Sequence, residues 1–206
     1  MEQKYIILAV VVFVAVLGGI IWLTNGDRDT NSNNYAQVQN SQPSDNQNTM
    51  TQEEATKKIV KATIKTAKGN IVLDLYPDVA PKTVDNFVTK AKAGYFNGLK
   101  FHRVEDWVIQ GGDPLSRDES KKQLWGTGGG DISTELNAKP FIVGALGVAR
   151  GRDINISNDS QFFIVKKDAQ FLNNQYTLFG QVVSGMEAVN QIAIGDVIEK
   201  ISVSEN

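Results

Sequence analysis

FHRVEDWVIQGGDP, residues 101–114, crowds a positive charge, two large aromatic rings and an amide into one alternating stretch. Phe101 and Arg103, then Trp107, Ile109 and Gly111 beyond the Glu105-Asp106 break, predict two short strands joined by a tight charged turn. Side chains alternate across a strand, so His102 and Arg103 fall on opposite faces, and Trp107 and Val108 do likewise. One face is thus expected to carry Arg103 toward solvent or a ligand. Gly111-Gly112-Asp113-Pro114 is a turn or bulge signal that ends the second strand and lets backbone pass close to a neighbour. Taken alone, the stretch fits an ordinary hairpin with a solvated arginine equally well, so its surroundings have to decide.

Upstream, Ile59 to Thr66 and Ile71 to Tyr76 alternate apolar and polar residues around Lys68-Gly69-Asn70, which predicts an antiparallel hairpin. Past Pro77 and Pro81, Val84, Phe87, Val88 and Ala91 share one helical face, and Gly94 stops the helix. Asp78 and Asp85 are taken as capping or solvated groups. Downstream, residues 115–140 form a long polar loop with Gly126-Thr127-Gly128-Gly129-Gly130-Asp131. No Lys-Ser/Thr pair follows those glycines and no helix opens, so nucleotide binding is not expected, and tight turns beside a groove account for them better. Phe141 to Ala149, Ser160 to Val165, Leu178 to Val183 and Val197 to Val203 predict further strands, with Arg150 to Asp159 as a loop and Met186 to Ala193 as a short helix. Roughly eight strands with two helices and no βαβ rhythm argue for an antiparallel barrel or sandwich.

Composition narrows the chemistry. Residues 58–206 carry 18 basic and 17 acidic side chains, a balance without the basic footprint of a nucleic-acid binder. The chain has no cysteine and one histidine, which removes disulfides, thiol catalysis and an all-histidine metal site. Residues 5–23, YIILAVVVFVAVLGGIIWL, are uncharged and apolar over nearly the length that spans a bilayer. That run exceeds the apolar core of an ordinary signal peptide and no small-x-small cleavage site follows, so residues 1–24 are expected to be an uncleaved signal anchor. Residues 25–57, rich in Asn, Gln, Ser and Asp, are expected to be a disordered tether.

FHRV with WVIQGGDP, then GTGGG, then GALGVAR with SQFFIV, then FLNNQYTLFGQV resemble, in order, the signature segments of the cyclophilin family of peptidyl-prolyl cis-trans isomerases. The resemblance covers residues 58–206 and none of the anchor or tether. It implies a mainly β fold, a closed eight-stranded antiparallel β-barrel with two capping helices and a peptide groove on its outer face. It also implies that Arg103 is the catalytic arginine and that Gln110 hydrogen-bonds the peptide backbone. Trp107, Val108, Phe163 and Leu172 would line the proline pocket, Ala149 and Gln161 would flank the site of the preceding residue, Arg150 would hold the peptide through its backbone, and Phe171 and Tyr176 would form the rim. No cofactor and no metal is implied. His102 is expected to be a structural, hydrogen-bonded histidine, and Glu105 and Asp106 a solvated turn.

The chain departs from the family pattern at several places, among them Phe171, where many eukaryotic members have tryptophan, and Tyr176, which replaces a histidine as in many bacterial members. Between Arg103 and Gln110 it is one residue shorter, and Trp107 stands where phenylalanine is usual, a combination expected to narrow the pocket. The Ala149 to Gln161 segment is a residue or two longer than usual. The expectation drawn from all this is a monomeric isomerase, anchored in a membrane with its domain outside a bacterial cytoplasm, acting on proline-containing, unfolded or partly folded polypeptides. Its rival is a non-catalytic proline-peptide binding or holdase module on the same fold.

Overall fold

The computed structural model describes residues 59–205. The expected anchor (1–24) and the tether (25–57) lie outside them. Nine strands follow in chain order: β1 Val60–Thr66, β2 Gly69–Leu75, β3 Arg103–Val104, β4 Val108–Gly111, β5 Asp131–Ser133, β6 Ala145–Arg150, β7 Ile156–Val165, β8 Leu178–Ser184 and β9 Lys200–Glu205. Two helices, α1 Pro81–Lys92 and α2 Met186–Gln191, complete the described residues together with three short 3₁₀ segments. Every pairing is antiparallel, in the order β3-β4-β7-β6-β8-β2-β1-β9, with β5 pairing β7 off this path. The sheet is curled. The segments leading into its two terminal strands meet at a Lys100↔Val197 bridge, where Phe101 N–H donates to Asp196 O and Ile198 N–H to Leu99 O.

Several boundaries differ from the sequence expectation, each for a local reason. The expected count of eight strands becomes nine because part of the presumed Arg150 to Asp159 loop extends β7, and Asp131–Ser133 from the Gly-rich segment pairs with it. The first hairpin turns one residue early, at Ala67-Lys68, where Thr66 Oγ1 accepts from Lys68 N–H and donates to Gly69 O. α1 starts on Pro81 with no side-chain cap from Ala80. Its first amides are met by Glu135, whose carboxylate accepts from Lys82 N–H at 3.1 Å and from Thr83 N–H and Oγ1 at 2.8 and 2.7 Å. A negative charge there suits both the orphan amides and the helix dipole.

The strands around β4 are buried on both faces. Ile109, Phe162 and Ile164 join a core with Phe87, Phe96 and Phe179, whereas Val108, Phe163 and Val165 join a second cluster with Phe141, Leu172 and Leu178. Alternation along β4 and β7 divides one sequence between two hydrophobic layers. Phe162 stands edge-on to Phe87 at 5.7 Å and to Phe96 at 5.8 Å. Gly112, with φ +88°, lets β7 pass so close that a Cβ there would lie 2.1 Å from Ser160 O.

Because Phe162 is 2% exposed and sits between two rings, Phe162→Ala is expected to destabilise the domain by about 3–5 kcal/mol. Urea unfolding would show this as a lower midpoint; an unchanged midpoint would remove Phe162 from the core described.

Candidate active site

β4 lies between β3 and β7, with Gln110 paired to Arg103 on one side and to Phe163 on the other. Equal pairing puts the three side chains in one row on one face. That row borders a pocket of about 100 Å³, lined by Arg103, Trp107, Val108, Gln110, Ala149, Arg150, Phe163, Leu172 and Tyr176. Such a volume exceeds what one water needs and suits a small ring. Nine of the eleven residues singled out from sequence thus surround one cavity. The other two touch it at second hand: Gln161 bonds Gln110, and Phe171, 67% exposed, meets the Trp107 ring edge-on at 5.2 Å.

One expectation needs correction. Trp107 and Val108 do not diverge onto opposite faces; both line the pocket. Trp107 belongs to the bend before β4 and not to the strand, so period-two alternation does not govern it.

A continuous hydrogen-bond chain orients the polar groups. Gln161, 3% exposed, donates through Nε2 to Gly126 O and Gly128 O at 3.1 and 2.7 Å, which leaves its Oε1 facing Gln110. Gln110 Nε2 donates to that oxygen at 2.9 Å, so Gln110 Oε1 faces Arg103, whose Nη1 lies 3.4 Å away. Each amide is thereby held in one orientation by its neighbour. Phe163 fits because β6 offers Gly147, where a Cβ would come within 2.3 Å of its ring.

Glu105 is exposed, as expected, and it also bridges two pocket residues. Its Oε1 accepts from Arg103 Nε at 2.6 Å and its Oε2 from Trp107 Nε1 at 2.9 Å, with the Arg103 Cζ 5.4 Å from the indole centroid. A carboxylate offers one accepting oxygen to each of the two donors. The Arg103 hydrogen bond holds the Glu105 carboxyl below its ordinary range. A sequence signal did exist: an acidic residue two positions from both Arg103 and Trp107, in a turn too short to let it drift away.

Comparison with known proteins agrees with this geometry. Residues 59–206 match the family described as cyclophilin type peptidyl-prolyl cis-trans isomerase/CLD. The chain belongs to the cyclophilin-type peptidyl-prolyl cis-trans isomerases. It is 40% identical over 162 residues to a peptidyl-prolyl cis-trans isomerase of Helicobacter pylori (strain ATCC 700392 / 26695), covering 75% of this chain and 93% of that one. A probable peptidyl-prolyl cis-trans isomerase of Brucella suis is 40% identical over 147 residues, covering 68% and 74%. Two crystal structures of a Cryptosporidium parvum cyclophilin type isomerase, the second in the presence of the dipeptide Ala-Pro, superpose with TM-scores of 0.63 and 0.62 at 26% identity. They cover 72% and 71% of this chain and 99% of that one.

Behind the pocket of this cyclophilin, His102 faces the Gly126 segment, where a Cβ would stand 3.4 Å from its Cδ2. Contrary to expectation, both ring nitrogens are buried and neither makes a hydrogen bond among the described residues. The Lys100 backbone and the Gln161 amide lie near enough to favour a proton slightly, without reaching hydrogen-bond geometry. Burial wins: it lowers the His102 pKa from 6.5 despite the Asp113 carboxylate nearby, and the Arg103 charge adds to the lowering. Asp113 is itself fully buried and already accepts from the Leu115, Gly126 and Gly128 amides.

Just below pH 6.5 the unfolded chain binds a proton at His102 that the folded chain resists, so stability falls on acidification in this window. Glu105 acts lower: its contribution is present above 4.5 and is lost only as pH falls through its depressed folded value. Thermal melts from pH 7.5 to 5.5 are expected to show a fall in Tm that is smaller in His102→Gln. Parallel curves for the two proteins would exclude His102 as the cause.

Proposed function

We propose that this isomerase turns X-Pro bonds by non-covalent electrostatic stabilisation, with Arg103 as the catalytic cation and Gln110 as the group that holds the peptide backbone. The observation that carries this reading is an arginine and an oriented amide side by side in the wall of a pocket that Val108, Phe163 and Leu172 also line. Amide resonance opposes rotation with a barrier of about 18–20 kcal/mol. A guanidinium aimed at the prolyl nitrogen stabilises its lone pair as the nitrogen becomes pyramidal, and this interaction is absent in the planar ground state. Val108, Phe163 and Leu172 hold the ring while the carbonyl side turns, Ala149 and Gln161 flank the preceding residue, and Phe171 and Tyr176 form the rim. Glu105 anchors Arg103 through Nε and Gln110 Oε1 lies 3.4 Å from Nη1, which leaves Nη2 for the substrate.

The family match favours turnover over the alternative of a non-catalytic binding or holdase module. The bridge at Lys100↔Val197 supports a further structural reading, in which the curled sheet closes into a barrel. Exchange NMR on an X-Pro peptide, comparing the unmodified protein with Arg103→Ala, tests the catalytic assignment. Arg103→Ala is expected to lower kcat/KM roughly a hundredfold, the size of losing one electrostatic contact to a transition state. Peptide binding without acceleration by the unmodified protein would instead favour the binding module.

We further propose a monomeric enzyme tethered to a bacterial membrane, its domain outside the cytoplasm, with unfolded or partly folded polypeptides as substrates; the apolar run at residues 5–23 and the polar segment after it support the tether. The native protein is expected in the membrane fraction, with its N-terminal mass intact and its domain degraded by protease added to spheroplasts. A soluble protein lacking residues 1–24 would contradict the anchor.

A further inference from the structure

Two arginines line the pocket, and their charges are treated differently. Arg103 is met by the Glu105 carboxylate at 2.6 Å. Arg150 has no carboxylate within ion-pair distance among the described residues. The nearest acidic groups in sequence are engaged elsewhere: Asp153 accepts from Asn155 N–H at 2.8 Å and, with Asp131 and Arg152, borders a separate hollow.

Although unpaired, the Arg150 guanidinium is held in place. Its Nε donates to Gln175 O at 2.7 Å and its Nη1 to Gly151 O at 2.9 Å, while Cζ sits 4.5 Å from the centroid of the Tyr176 ring. Both hydrogens of Nη2 are outside these bonds. A cation fixed by backbone carbonyls and an aromatic face loses little further freedom when it meets an anion. Arg150 is also half-buried, where a charge is less screened than on open surface.

We infer that Arg150 is a specificity-determining residue that selects a carboxylate side chain on the residue immediately preceding proline. The inference rests on the proposed reading of the site, in which the ring fills the pocket and Ala149 flanks that preceding residue; Arg150 is the next residue on β6. Glu105 sharpens the choice by pairing with Arg103 through Nε, so that Arg150 is the pocket-wall arginine without a carboxylate partner.

The test uses the full-length protein and the peptides acetyl-Ala-Xaa-Pro-Phe-amide with Xaa as Glu, Gln or Lys, followed by exchange NMR at low salt. The expected order of kcat/KM is Glu, Gln, Lys, with Glu ahead of Gln by roughly two- to fivefold, the range of a partly exposed ion pair. That ratio is expected to collapse toward one in about 1 M NaCl, where the screening length is near 3 Å, and in Arg150→Gln. Reading a ratio within each protein cancels any general loss of activity, and the salt series on the unmodified protein decides the matter if the variant does not fold. Equal rates for Glu and Gln, or a preference that survives both salt and Arg150→Gln, would overturn the inference. Turnover unaffected by Arg103→Ala would overturn the catalytic assignment instead, while a flat Glu/Gln ratio beside a large Arg103→Ala effect would fault only the role of Arg150.

Discussion

Backbone pairing on both sides of β4 constrains everything at the pocket, because Gln110 is aligned with Arg103 of β3 and with Phe163 of β7 in the same register. A slip of one residue would turn Gln110 into the core and bring Ile109 to the groove. The register is held by the two hydrophobic layers that the strands separate. Ile109 and Ile164 are fully buried on one side, and Val108 and Phe163 are almost so on the other. Polar groups placed in such a row are positioned by the sheet before any ligand arrives.

Glycines allow the close approaches that this arrangement needs. At Gly112 the backbone meets Ser160 O, and at Gly147 the sheet yields room to the Phe163 ring; a side chain at either position would collide with its neighbour. The Gly126 and Gly128 carbonyls, in turn, orient Gln161 and through it Gln110. The glycine-rich segment therefore serves the site by presenting backbone oxygens. Its Gly126 and Gly128 amides are already taken up by the buried Asp113 carboxylate.

Charge is distributed with equal economy. Glu105 ties the guanidinium of Arg103 to the indole of Trp107, and Trp107 meets Phe171 at the rim, so one carboxylate links the proposed cation to the pocket wall. Exposed ion pairs contribute little to stability, and the value of this one lies in orientation. The turn suits the bridge, since only residues 105–107 join the ends of β3 and β4.

Alternation and turn residues were enough to read the β-rich class and the approximate places of the long strands and of both helices, whereas the list of pocket residues came from the resemblance of the serial motifs to a known family. Arg103, Gln110, Phe163 and Leu172 were singled out by that resemblance, and the structure brings all four to one pocket. The partners of those residues depend on segments that folding brings together. The cap that Glu135 supplies to α1 spans about fifty residues of chain, β5 exists only because β7 offers it an edge, and the bridge at Glu105 depends on how the turn folds back. His102 illustrates the same limit: alternation put it behind Arg103, but whether its nitrogens would find partners depended on what the Gly126 segment brings against it. Periodicity is a local property that survives in the one-dimensional chain, whereas hydrogen-bond partners and charge pairing are set by segments that meet only after folding.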